Sequence, residues 1–144
     1  MGVISSLSAE AQELVAAAAE ARKGAVAPYS KFKVGAAVRT ASGEIVTGCN
    51  VEISSYSHSC CAERVALFKA VSEGARLVTE CAVVTHTSPP ASPCGACRQV
   101  LSDFSEELTL YLTNTDGEVT VTTLGELLPM AFKPAEVLKS IYSE

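Results

Sequence analysis

The sequence has no apolar run long enough to cross a membrane, and its first residues lack the basic and apolar segments of an export signal. Six cysteines among 144 residues could form three disulfides in an exported protein. Without an export signal, we expect the cysteines to stay reduced. The expected location is therefore the cytoplasm, with no membrane partner.

The chain also lacks any concentration of positive charge. It has 11 Lys and Arg residues against 16 Asp and Glu residues, a formal net charge of −5, and no basic run longer than Arg22-Lys23. Binding to polymeric DNA or RNA depends on clustered basic side chains that neutralise phosphates. The composition argues against such a partner and indicates a small ligand that is not strongly anionic.

What the sequence does contain is a cysteine pair, Cys94 and Cys97, in the motif Pro-Cys-Gly-Ala-Cys at 93–97. This spacing can place both sulfurs on one metal ion. Cys61 supplies a third thiolate, and Glu63 supplies a carboxylate two positions later. Three protein ligands leave one tetrahedral position of zinc open, which is typical of a catalytic site. Water bound there becomes a nucleophile, and Glu63 is predicted to carry protons.

One alternative for the cysteines is a closed, structural zinc site. It requires a fourth protein ligand, for which His58 and Cys60 are the candidates. Cys60 adjoins Cys61, and adjacent side chains on a helix point about 100° apart, so Cys60 suits the same ion poorly. His58 could reach the ion from the preceding loop.

Arg64 addresses the charge of such a site. Three thiolates and one Zn²⁺ carry a net negative charge, which would weaken the ability of the metal to acidify water. A guanidinium beside the sulfurs, with the free N–H groups of helix starts, would withdraw part of that charge. Arg98, directly after Cys97, is a weaker candidate for the same role.

The apolar periodicity and the turn residues predict one α/β domain over residues 1–144. Strands that alternate with helices favour a five-stranded mixed sheet with helices packed on both faces. Cys61 and Cys94 then lie where helices begin beyond strand ends, a usual place for ligands. The predicted helices are 9–23, 61–74, 95–104, 124–128 and 134–141, and the predicted strands are 32–40, 44–51, 77–86, 108–113 and 118–123.

Asn50 and Glu52 are predicted to face the same side at the end of a strand. An amide beside a carboxylate suits a sugar diol, which both donates and accepts hydrogen bonds, although such pairs are also common at ordinary strand ends. Phe32 and Phe132 could stack on an aromatic ring or belong to the core. Three further residues receive no role: Cys49 and Cys81 as small buried strand residues, and His86 as a strand-end or core residue.

Six segments occur in one order across nearly the whole chain: APYSKFKVGAA at 27–37, TGCNVE at 47–52, CAER at 61–64, KAVSEG at 69–74, PCGACRQV at 93–100 and ELLPMAF at 126–132. Together they resemble the cytidine deaminase family, specifically its short homotetrameric type with three cysteine ligands. Two positions depart from the family pattern. Ile53 stands where many members have Asn, and His58-Ser59-Cys60 fills a variable stretch before the first ligand.

The resemblance implies the three-layer fold of that family and the identity of the metal site. One Zn²⁺ per subunit would be held by Cys61, Cys94 and Cys97, and Glu63 would be the proton shuttle. The Pro-Cys-x-x-Cys motif at 93–97 is also typical of zinc deaminases that act on nucleobases.

The resemblance further implies substrate-binding residues in one subunit and in its neighbour. Asn50 and Glu52 would bind the ribose hydroxyls, and Phe32 would pack against the base or sugar. Backbone groups at Ala62 and Cys94 would bind the pyrimidine edge. In a homotetramer with shared active sites, the residues that reach a neighbouring site would be Ser54, Tyr56 and Phe132.

The predicted function is hydrolytic deamination of cytidine and 2′-deoxycytidine to uridine and 2′-deoxyuridine plus ammonia, in pyrimidine salvage. One alternative is a related aminated nucleoside, such as an antibiotic nucleoside, and another is a structural zinc module. The Asn50 and Glu52 pair favours a plain nucleoside. A nucleotide would require basic groups for its phosphate, and the family that acts on nucleotides carries His at the first ligand position.

Overall fold

The computed structural model describes residues 1–135, in which helices and strands alternate along one sheet. The helices are α1 (Ala9–Arg22), α2 (Ala62–Ser72), α3 (Gly95–Asp103) and α4 (Leu124–Leu127), and the strands are β1 (Gly2–Val3), β2 (Gly35–Thr40), β3 (Ile45–Cys49), β4 (Val78–Thr85), β5 (Thr109–Asn114) and β6 (Glu118–Thr123). The predicted helix at 134–141 lies outside the described residues except at its first two positions. No helix within 1–135 has both the length and the apolar character needed to cross a membrane.

The sheet contains six strands in the order β1-β6-β5-β4-β2-β3 within the described residues, where five were predicted. The additional strand is β1, whose Gly2 and Val3 pair with Val119 and Glu118 of β6. Two residues show no alternation that a sequence pattern could detect. β4 and β5 run parallel and the other neighbouring strands run antiparallel, so the predicted mixed sheet is confirmed.

Helices cover both faces of this sheet, as predicted. On one face, α1 buries Leu14 and Ala18 against Ala37 and other strand residues. On the other face, α2 and α3 bury Leu67 and Leu101 against the strand residues Ala36, Val38, Val46, Val83, Leu110 and Leu112. Adjacent residues of β2 thus point to opposite layers, as the period of two in a strand requires.

Two glycines allow the helices to approach the sheet closely. A Cβ atom on Gly35 of β2 would lie 2.0 Å from the carbonyl oxygen of Ala18 in α1. A Cβ atom on Gly48 of β3 would lie 2.4 Å from the backbone nitrogen of Ala66 in α2. Only glycine permits this contact without displacement of the helix. Gly48 therefore helps to determine where α2 begins relative to the end of β3.

The ends of β3 and β4 meet at one edge of the sheet. Both strands pair antiparallel with β2, which lies between them, so the residues that follow β3 and β4 adjoin the residues that precede β2. Asn50 follows β3, His86 follows β4, and Phe32 precedes β2. Because α2 follows β3 and α3 follows β4 along the chain, Cys61 and Cys94, at the starts of these helices, also lie at this edge.

Changing Gly48 to Ala is expected to destabilise the protein by about 1–3 kcal/mol, because the added methyl group must push α2 away from β3. Urea denaturation of the purified variant measures the difference. Gly125→Ala is the matched control, since a Cβ atom there would meet only the Thr123 hydroxyl at 3.9 Å, an ordinary contact. Wild-type stability of Gly48→Ala would contradict the close packing described above.

Candidate zinc site

Cys61, Cys94 and Cys97 bring their sulfur atoms together, as their spacing predicted. The three Sγ atoms lie within 4.8 Å of one another, and those of Cys61 and Cys94 are 3.9 Å apart. Cys61 and Cys94 are the N-cap residues of α2 and α3, while Cys97 lies in the first turn of α3. Cys97 is buried, Cys61 is half-buried and Cys94 is exposed, so solvent reaches one side of the cluster.

This donor set fits a zinc ion. Two sulfurs at about 2.3 Å from a tetrahedral zinc ion would lie about 3.8 Å apart, close to the separation of Cys61 and Cys94. Within residues 1–135, no fourth His, Cys, Asp or Glu belongs to the cluster. His58 lies instead within hydrogen-bond reach of the hydroxyls of Ser55 and Ser57, at 2.9 and 3.2 Å. The described residues thus offer three ligands and leave one tetrahedral position for water.

Arg64 lies beside the sulfurs. Its Nη2 atom donates a hydrogen bond of 3.4 Å to Cys61 Sγ, and its buried Nε atom has no hydrogen-bond partner among the described residues. A hydrogen bond from Cys97 and the Arg64 guanidinium together lower the pKa of Cys61 to about 5. The lowered pKa favours the thiolate form of Cys61, which is the form that binds a metal.

Arg98 was the weaker candidate for this role, and its side chain binds oxygen atoms rather than sulfur. Its Nε and Nη1 atoms donate to the carbonyl oxygens of Pro93 and Leu127, both at 2.8 Å. Its Nη2 atom donates to the hydroxyl of Ser92 at 2.9 Å. The guanidinium is thus engaged by three oxygen atoms. Its position next to Cys97 in the sequence carried no information about its direction.

Glu63 is a buried carboxyl group in the first turn of α2, with 5% of its surface exposed. Burial, with a further contribution from the charge of Cys61, raises its pKa to about 7, against the opposing effect of Arg64. A carboxyl group that titrates near neutrality can both accept and release a proton under physiological conditions. Its surroundings thus suit the proton transfer predicted for it.

Asn50 and Glu52 lie just beyond β3, and both side chains bind the segment that precedes β2. Asn50 accepts a hydrogen bond from the N–H of Val34 at 2.9 Å and donates one to the carbonyl of Phe32 at 2.7 Å. An amide side chain has two donors and two acceptor positions, so one of each is left for a ligand.

The Glu52 carboxylate is held by the residues that precede Phe32. It accepts hydrogen bonds from the N–H groups of Tyr29 and Ser30, at 3.1 and 2.9 Å, and from the Ser30 hydroxyl. The Ser30 hydroxyl and N–H lower the pKa of Glu52 below its ordinary value. Sequence reasoning missed Ser30, although its place in the segment shared with Phe32 was a possible signal.

Phe32 and His86 contact one another at the edge of the sheet. Their rings lie 5.1 Å apart, measured between centroids, with a tilt of 56°. Phe32 is half-buried and His86 is exposed, which places His86 at a strand end rather than in the core. Ala62, the first residue of α2, is fully buried between the sulfur cluster and the sheet.

The three residues expected to reach a neighbouring subunit are exposed in the single chain. Ser54 lies in the loop before α2, and Tyr56, 70% exposed, packs edge-on against Tyr29 with ring centroids 5.0 Å apart. Phe132 is 59% exposed, and its backbone is hydrogen-bonded by the Gln99 side chain. These side chains are accessible to a second molecule, and the single chain does not bring them to the sulfur cluster. Gln99 was not recognised from the sequence.

A metal position left open beside a carboxyl group that titrates near neutrality is the arrangement of zinc enzymes that activate water. Comparison with known proteins identifies the group of enzymes. The family model for the cytidine and deoxycytidylate deaminase zinc-binding region matches residues 8–113, and the chain belongs to this family.

Individual proteins of this family are similar along most of their length. The cytidine deaminase of Sporosarcina psychrophila is 48% identical over 129 residues, which cover 89% of this chain and 95% of that protein. The cytidine deaminase of Halalkalibacterium halodurans is 49% identical over 122 residues, covering 84% and 92%. A crystal structure of cytidine deaminase from Burkholderia pseudomallei superimposes with a TM-score of 0.80 at 50% identity, covering 83% of this chain and 97% of that chain.

Replacing Cys94 by Ala should abolish stable zinc binding, because removal of a direct ligand costs more than the roughly 10- to 100-fold loss of affinity caused by changes around the ligands. Zinc content per chain after dialysis, measured by atomic absorption, tests this. Cys60→Ala is the matched control and should keep its zinc, since Cys60 adjoins a ligand without belonging to the cluster. If Cys60→Ala loses its zinc, Cys60 is a ligand, and the result would support the closed structural site.

Proposed function

We propose that this protein is a cytidine deaminase, which hydrolyses cytidine and 2′-deoxycytidine to uridine and 2′-deoxyuridine with release of ammonia. The observation that carries the proposal is the burial of Glu63 beside three converging cysteine sulfurs. A structural zinc site has four protein ligands, so it requires neither an open metal position nor a buried carboxyl group beside it. The similarity to named cytidine deaminases over most of the chain supports the same substrate.

The chain supplies the proton transfers of this reaction through Glu63. Cys61, Cys94 and Cys97 would hold zinc, which would lower the pKa of a bound water to about 7 and so supply the nucleophile for C4 of the pyrimidine. Glu63 accepts one proton from the attacking water and delivers it to N3 of the ring. It then carries the second proton, from the hydroxyl group formed on C4, to the amino group, which leaves as ammonia as the C4 carbonyl forms. Its burial keeps bulk water from exchanging that proton. Cys97 and Arg64, through hydrogen bonds to Cys61, favour its thiolate form.

Binding of the nucleoside is assigned to the edge of the sheet. The free donor and acceptor of Asn50 and the remaining acceptor capacity of Glu52 suit the ribose hydroxyls. The half-buried ring of Phe32 offers a face for the base or the sugar. Backbone groups at Ala62 and Cys94, both at helix starts, suit the polar edge of the pyrimidine.

The wider setting of the enzyme forms part of the same proposal. Residues 1–144 act as one catalytic domain, and four copies form a homotetramer in which Ser54, Tyr56 and Phe132 serve a neighbouring active site. Exposure of these side chains supports that arrangement. Six free thiols suit a reducing compartment, which supports a cytoplasmic role in pyrimidine salvage.

Cytidine incubated with the zinc-loaded protein should lose its characteristic ultraviolet absorbance, and Glu63→Gln should slow this loss about 10²- to 10⁴-fold, the usual contribution of general acid–base catalysis. Glu73→Gln, an exposed carboxylate at the other end of α2, is the matched control and should retain wild-type activity. Activity preserved in Glu63→Gln would remove Glu63 from the proton transfers.

The same assay separates the competing substrates. 2′-Deoxycytidine, deoxycytidylate and an aminated antibiotic nucleoside are tested beside cytidine. Turnover of deoxycytidylate with none of either nucleoside would contradict the assignment to nucleosides, and turnover of the antibiotic alone would identify the rival enzyme. Zinc-bound, folded protein without activity on any of the four would return the chain to the structural zinc hypothesis.

If active sites are shared between subunits, co-expression of two impaired variants should restore activity in mixed tetramers. Glu63→Gln lacks the proton carrier, and Phe132→Ala lacks the ring expected from a neighbour. A tetramer that contains both kinds of subunit has some sites with an intact Glu63 and a neighbouring Phe132. Co-expressed subunits should therefore exceed the summed activity of the two parent proteins. Activity no greater than that sum would place Phe132 outside its neighbour's site.

A further inference from the structure

The side chain of Gln99 pairs with both backbone groups of Phe132. Its Nε2 atom donates to the Phe132 carbonyl at 2.8 Å, and its Oε1 atom accepts from the Phe132 N–H at 3.1 Å. Gln99 lies two residues after Cys97 on α3. A residue held at both its N–H and its C=O has its backbone position determined from one side. The helix that carries two of the metal ligands thereby holds the residue at 132 as well.

Arg98 holds the other end of the same segment. Its Nη1 atom donates to the carbonyl of Leu127, and its Nε atom donates to the carbonyl of Pro93, directly before Cys94. Arg98 and Gln99 are adjacent on α3, so one turn of this helix fixes the segment 127–132 at its first and last residues. We call this segment, with the two side chains that hold it, the α3 clamp.

The clamp engages the backbone of Phe132 and leaves its ring free. Phe132 is 59% exposed, and nearby Met130 is 92% exposed. The ring lines a groove of about 780 Å³ beside the end of α3, whose walls include none of the three cysteines, Asn50 or Glu63. Within one chain, therefore, Phe132 does not contribute to the zinc site, and its exposed ring is available to a second copy.

We propose that Gln99 is a positioning residue, which acts through the Phe132 backbone to set the place of the Phe132 ring against the substrate in an adjoining subunit. The inference rests on the proposed function, in which that ring serves a neighbouring site. Binding is tighter when the contacting group is already ordered, because the cost of ordering it has been met before the substrate arrives. The Gln99 amide supplies this order.

The effect of Gln99 should appear in substrate binding rather than in the chemical step. Loss of both hydrogen bonds releases an exposed segment to solvent, where water can replace them, so the fold should be little affected. If the Phe132 ring must be ordered each time a substrate binds, binding of the substrate and binding of the transition state are weakened equally. Such a loss raises KM and leaves kcat unchanged. We expect Gln99→Leu to raise the KM for cytidine about 3- to 10-fold.

Gln12→Leu is the matched control. Gln12 is likewise half-buried and donates a 2.8 Å hydrogen bond to a backbone carbonyl, that of Leu7, but it lies on α1. Its loss should leave KM unchanged. Gln99→Glu replaces the donor by a carboxylate oxygen that faces the Phe132 carbonyl and the Asp103 carboxylate, so its KM should rise at least as far as that of Gln99→Leu. All three variants should retain wild-type zinc content.

A double-mutant cycle with Phe132→Ala tests whether Gln99 acts through the ring. The Ala variant keeps the backbone groups that Gln99 binds and removes the ring. Gln99→Leu should then add no further rise in KM. A rise of the same factor in both backgrounds would overturn the proposal, as would an unchanged KM in Gln99→Leu alone.

Hydrogen exchange separates failure of the clamp from failure of the proposed function. The Phe132 amide should exchange faster in Gln99→Leu than in the wild type and at the wild-type rate in Gln12→Leu. This measurement needs no substrate. If the wild type fails to deaminate cytidine, the proposed function fails, while exchange still decides the clamp. Equal exchange in Gln99→Leu and the wild type would overturn the clamp whatever the activity.

Discussion

The sulfur atoms of three cysteines lie within 4.8 Å of one another. They bind a metal as thiolates, and the negative charge of three thiolates at this distance must be offset. This chain offsets it from three directions: the Arg64 guanidinium at 3.4 Å from Cys61, and the N-termini of α2 and α3, at which Cys61 and Cys94 are the N-cap residues. Both helices must therefore begin at the same point in space. The sulfur cluster lies where the starts of these two helices meet.

The sheet meets this requirement through strand order. Because β2 separates β3 from β4 and runs antiparallel to both, the two helices that follow β3 and β4 start from the same edge. Gly48 then brings α2 against β3 more closely than any side chain would permit. The first turn of α2, with Glu63 buried beside Cys61, is thus placed in part by the backbone packing of α2 against Gly48, which reaches the carbonyl oxygen of Ala62, directly after Cys61. Small changes in that packing would therefore shift the position of the Glu63 carboxyl group.

Local signals in the sequence were sufficient for most of this architecture. Cysteine spacing, apolar periodicity and turn residues predicted the cluster of three cysteines and the helices and strands within 1–135, apart from β1, whereas the proton-carrying role of Glu63 stays a prediction. What escaped depends on partners distant in the chain. β1 exists only through its pairing with β6, and the directions of Arg98 and Gln99 follow from the segment 127–132. The strand predicted from residue 32 begins only at Gly35, because the Asn50 side chain takes the hydrogen bonds of Val34 and Phe32.

The hydrogen bonds that the Asn50 side chain makes to the backbone of Val34 and Phe32 have a consequence for the shape of the site. The Asn50 side chain takes the Val34 N–H, while the Asn50 N–H still donates to the Val34 carbonyl at 3.2 Å, so regular pairing of β2 and β3 ends at this residue, beside the space assigned to the nucleoside. Replacement of Asn50 would remove the proposed ribose contact and would also free the Val34 N–H and the Phe32 carbonyl, which lie beside that space. In the proposed function, one side chain thus serves both the backbone geometry of the site and the contact with the ligand.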